Sequence, residues 1–170
     1  MRMSAAELGD NLAQLVWESF SDFIERRGLG KEEAGEEGGT AVLALPTVEP
    51  EEALIFFMWL HTRACQQACP DAERLKKILD AMHRAIYEDL EARTFSRGQL
   101  PLFEQRVSVR YTEYYDAAGD RSGEKVVEVA ARHVLVNGMR RPAITLELAE
   151  AATVTSGPLR DFLEDIEFAD

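Results

Sequence analysis

Residues 53–60 read ALIFFMWL, eight apolar side chains in succession between Glu51-Glu52 on one side and Arg63 on the other. At 100° per residue, such a run covers every face of two helical turns, so the segment has to be surrounded by protein. Other helices of the same chain can do this, or those helices on one side and a second subunit on the other. Each large side chain removed from water contributes roughly 1.5–3 kcal/mol, so this one segment supplies much of the drive to fold. Eight residues are far short of the roughly 20 that span a bilayer. Thr47 and Pro50 announce the start of a helix there, because proline near the first helical position gives up no hydrogen bond.

Working outward, Ser4 followed by Glu7 fits a capping box, and Leu8, Leu12, Leu15, Val16, Phe20 and Phe23 then recur at helical spacing, which predicts a helix over 5–26. Residues 28–40 hold five glycines and four glutamates with little to bury, and are expected to form a flexible acidic loop. Their glycines lack the Gly-Lys-Ser/Thr ending of a phosphate loop, and the neighbouring glutamates would repel phosphate. Residues 41–45 read as a short strand or an apolar return to the core. Pro70 ends or kinks the second helix. Leu75, Ile78, Leu79, Met82, Ile86 and Leu90 form the stripe of a third that runs to about Arg93.

A fourth segment beginning near Leu102 fits a helix through Phe103, Val107, Tyr111 and Tyr114, but Val107, Val109 and Tyr111 also alternate as in a strand. A fifth, around Val126 to Leu135, favours helix. Asn137-Gly138 supplies a helix stop or a hairpin turn. A helix from Ile144 is expected to break at 153–158, with a last short helix from Pro158. The fold class that follows is mainly α: a single-domain irregular bundle over 1–170 of about five to seven helices, with room for a small β addition within 104–150.

The 170 residues carry 31 acidic and 19 basic side chains, a net charge of -12. That balance argues against direct nucleic-acid binding or an anionic membrane surface. Residues 1–60 carry 12 acids and 4 bases, residues 61–141 carry 12 and 14, and residues 142–170 carry 7 and 1, so acidic ends can pack on a middle that bears arginines. No secretory signal pattern opens the chain, and two cysteines are too few for a disulfide scaffold, so a cytoplasmic protein with reduced thiols is expected.

Chemistry-bearing residues are sparse. His61, Cys65 and Cys69 share an i, i+4, i+8 stripe with His83 on the next helix, but positions 61 and 69 lie about 12 Å apart along a helix axis and cannot share one ion, so no metal or other cofactor is assigned. A Cys65 nucleophile beside His61 lacks an orienting group or oxyanion site. Arg106, Arg110, Tyr114 and Tyr115 are the most suggestive surface candidates, since arginine and tyrosine are frequent at interfaces; Phe56 and Trp59 are added as candidates for a subunit contact. The reading is a non-enzymatic, self-associating adaptor or regulator, a homo-oligomer or the binder of a protein partner. Its alternatives are a small-molecule- or metal-binding bundle with a pocket near Trp59, His61, Cys65 and His83, and an acidic decoy of a basic nucleic-acid-binding protein.

Overall fold

The computed structural model describes residues 1–26, 48–93, 95–96, 98–119, 124–136 and 141–168. Among these, six helices follow one another: α1 (Ala5–Arg26), α2 (Pro50–Ala68), α3 (Ala72–Arg93), α4 (Gln99–Ala118), α5 (Glu124–Val134) and α6 (Arg141–Glu164). The β addition joins the two ends of the chain. Strand β1 (Arg2–Met3) pairs in parallel with β2 (Glu167–Phe168), Arg2 opposite Glu167. Within 104–150 the described residues are helical apart from a short link, where Leu135 forms an isolated antiparallel bridge with Val48. The 28–40 loop, the 41–45 segment and Asn137-Gly138 lie outside the described residues.

α2 is the axis of the bundle and touches all five other helices. Every residue from Glu52 to Trp59 is buried, and only Leu60 at the end of the apolar run is half-buried. The enclosure comes entirely from this chain, so no second subunit is needed to cover the segment. Rings pass tilted or edge-on through the interior from Phe23 to Phe57, Phe56, Tyr114 and Trp59, with centroids 5.6–6.0 Å apart. These are the separations at which aromatic pairs attract beyond simple burial.

α1 starts at the expected capping box. The Ser4 amide donates to Glu7 Oε2 at 2.8 Å and the Glu7 amide donates to Ser4 Oγ at 3.2 Å. This helix packs chiefly on α3, and Gly9 permits the approach: a Cβ there would sit 2.4 Å from Ala81 Cβ and 2.7 Å from the Ile78 carbonyl oxygen. α6 packs chiefly on α2 and α5. α1 and α6 thus share α2 but otherwise lean on different neighbours, α3 and α5, and barely touch each other.

The expected break at 153–158 does not occur. α6 continues through Gly157 and Pro158 to Glu164. Proline removes one backbone hydrogen bond, but Ile144, Leu148 and Leu159 are all buried along the same helix, and their burial holds the two halves in line. The Thr153 and Ser156 hydroxyls donate one turn back, to the Ala149 and Ala152 carbonyls at 2.9 and 2.6 Å, so neither side chain caps or ends the helix there. No helix among the described residues is long and apolar enough to cross a membrane.

Candidate functional site

The gap between α1 and α6 is a groove with a cavity of about 700 Å³. It is lined from Asn11 to Arg26 on α1 and from Glu147 to Phe162 on α6, and Phe57 and His61 of α2 form its floor. Fifteen helical steps on each wall give a length of roughly 22 Å. Leu15, Phe23, Val154, Pro158, Leu159 and Phe162 make the walls apolar. Glu18 and Asp22 stand on the α1 rim and Glu147 and Glu150 on the α6 rim, with Arg26 at one end.

His61 fixes the polarity of the floor. The residue is 1% exposed, and Nδ1 lies 2.8 Å from the Phe57 carbonyl oxygen, one turn back on the same helix. A carbonyl only accepts, so Nδ1 carries the proton. Burial pushes the imidazole down to about 4, against the smaller upward pull of that hydrogen bond, so the ring is neutral at physiological pH. Nε2 is then a bare acceptor, and among the described residues it has no hydrogen-bond partner.

The other residues proposed for a pocket lie elsewhere. Burial, reinforced by Cys69, pushes the Cys65 thiol up to about 12, which leaves no thiolate at neutral pH to serve as a nucleophile. His83 belongs to a structural relay. Its Nδ1 donates to the Leu79 carbonyl at 2.8 Å, so Nε2 accepts from the Tyr111 hydroxyl at 2.9 Å, and the Thr62 hydroxyl donates to the Tyr111 oxygen at 3.2 Å. This chain ties α2, α3 and α4 together. His83 also edges a second, shallower cavity of about 400 Å³ with Asp80, Tyr87 and Glu104. Trp59 is buried and lines neither cavity. Among the described residues no group of three or more His, Cys, Asp or Glu side chains is placed to hold a metal ion.

Comparison with known proteins finds no match. No family model, no curated protein and no solved structure matches this chain. The groove and the side chains in it therefore carry the functional argument by themselves.

The six residues expected at an interface divide in two. Phe56, Trp59 and Tyr114 are buried among the chain's own helices, so they have no surface to offer a partner. The spacing of 107, 111 and 114 pointed Tyr114 inward, but the all-apolar face of 53–60 left open a second subunit that the fold does not require. Arg106 and Arg110 are spent on internal ties. Arg106 Nη1 donates to Glu51 Oε2 at 2.6 Å, and Arg110 grips buried Glu52 with two bonds of 2.8 and 3.0 Å. Arg110 also reaches Glu113, which pairs with His133 on α5. Tyr115 remains half-buried beside Trp59. Sequence reasoning missed the α6 wall, Phe57 and the two acidic rims. The available signal was Leu15, a half-buried apolar side chain at the edge of the α1 stripe next to the polar Asn11, Glu18 and Asp22.

Proposed function

We propose that this chain is a non-catalytic binding protein whose working surface is the groove between α1 and α6. The observation that carries this is the cavity itself: about 700 Å³, apolar walls and one oriented polar atom on the floor. Volume and lining both fall within the range of sites that hold small organic molecules. Burial of Cys65 and the structural use of His83 support binding over catalysis, since neither is poised to react. The two free cysteines support a reducing compartment, the cytoplasm.

Titration of the full chain with Nile red, a neutral apolar dye, tests the reading. Saturable 1:1 binding is expected, abolished by Ala151→Trp, which fills the groove, and retained by Leu146→Trp, at an exposed α6 position outside it. Absence of binding, or equal binding by both variants with helical content intact, would overturn it.

A further inference from the structure

We infer that the guest of the α1–α6 groove is an amphiphilic amine: an apolar body of roughly ten or more carbons ending in a protonated nitrogen. This rests on the binding function proposed above and names its ligand class.

The inference follows from the sign of the polar atoms in the groove. Glu18 and Asp22 lie one turn apart on the α1 wall, and Glu150 lies on the α6 wall. Each is exposed at the rim, and Glu18 Oε1 accepts from Gln14 Nε2 at 2.9 Å. A carboxylate offers only lone pairs, and so does His61 Nε2 on the floor. Asn11 Nδ2, a donor on the same wall, is taken by the Glu7 carbonyl at 2.8 Å. Among the described residues, the one cationic side chain in the lining is Arg26, at the last turn of α1 and the end of the groove. The Ser19 and Thr155 hydroxyls in the lining can donate or accept, so the charged groups set the preference: the head of a fatty carboxylate would meet Glu18, Asp22 and Glu150, and a neutral alkane gains nothing beyond burial. An ammonium group meets the rim carboxylates while its chain replaces water against Leu15, Val154 and Phe162. The net charge of -12 adds a long-range field of the same sign. Length agrees with this as well, because an extended chain of ten to fourteen carbons fits a groove of roughly 22 Å.

The test is calorimetric titration of the full chain with dodecylammonium, dodecanol and dodecanoate, each below its micelle concentration. Dodecylammonium is expected to bind 1:1 about 10-fold tighter than dodecanol, the sum of three modest exposed ion pairs, with dodecanoate weakest. In the triple variant Glu18→Gln, Asp22→Asn, Glu150→Gln, whose changes are isosteric and exposed, that preference is expected to fall within about 2-fold while dodecanol affinity holds. Ala151→Trp should remove binding of all three. Dodecanol binding as tightly as dodecylammonium would overturn the amine inference and leave the groove's binding function standing. Failure of all three ligands would overturn both. Two other occupants give distinct results that also overturn it: a dimer in sedimentation that Ala151→Trp dissociates, or a Leu/Lys amphipathic 18-residue helix that binds and is not displaced by dodecylammonium.

Discussion

At the scale of single residues, the neutral state of His61 links the groove to stability. Its folded-state value of about 4 lies below the 6.5 of an unfolded histidine, so the unfolded chain binds the proton first as pH falls. The contribution is fully present above pH 6.5 and is lost between there and about pH 4, a span worth on the order of 3 kcal/mol. His83, also held low by burial, adds to it in the same direction. Urea unfolding at pH 7 and pH 4.5 should show His61→Gln losing less stability on acidification than the parent chain, and parallel losses would contradict a buried neutral imidazole. Glu52 gives a second expectation. It is 6% exposed and held by both bonds of Arg110, with Arg106 Nε also 3.9 Å from Oε1, so Arg110→Met takes both hydrogen bonds from a buried carboxylate and should cost roughly 2–4 kcal/mol. Much of that loss should return on adding Glu52→Gln. A loss below about 0.5 kcal/mol in the single variant would mean the pair is solvated like an ordinary surface bridge.

At the scale of elements, the close crossing of α1 on α3 depends on Gly9. In a free helix Gly→Ala gains up to about 1 kcal/mol, but here the new methyl meets Ala81 and the backbone of residues 78 and 82. Gly9→Ala should therefore lower thermal stability, by roughly 1–3 kcal/mol, and Ala81→Gly should restore only part, because the backbone contacts remain. A stabilising Gly9→Ala would show that α1 sits further from α3 than described. The helices were legible wherever an apolar stripe was long: α1 and α3 run as the spacing of Leu8 to Phe23 and Leu75 to Leu90 requires. α6 was misread at Pro158 because local propensity cannot register burial of Ile144, Leu148 and Leu159 on one continuous face. Val107 to Tyr111 satisfied both periods, and only the packing of Phe103, Val107 and Tyr114 on the interior separates them.

At the scale of the whole molecule, the all-round apolar α2 explains the architecture: five helices surround it, and the groove opens above α2 because α1 leans away to α3 and α6 to α5. That division could not be read from the sequence, since hydrophobic spacing shows which face is buried and not against what. The arginines were visible but their use was not, because Glu51 and Glu52 lie more than 50 residues from Arg106 and Arg110. His61 was noticed for its cysteine neighbours, whereas the role proposed for it comes from Nε2, which among the described residues is left over at the groove floor. The most direct measurement is the ¹⁵N spectrum of the His61 ring at pH 7, with and without saturating dodecylammonium. A groove floored by His61 predicts a single tautomer protonated at Nδ1, with an Nε2 resonance that shifts when the amine binds. An Nε2-protonated or charged ring, or an Nε2 signal unmoved while the amine binds elsewhere, would contradict it.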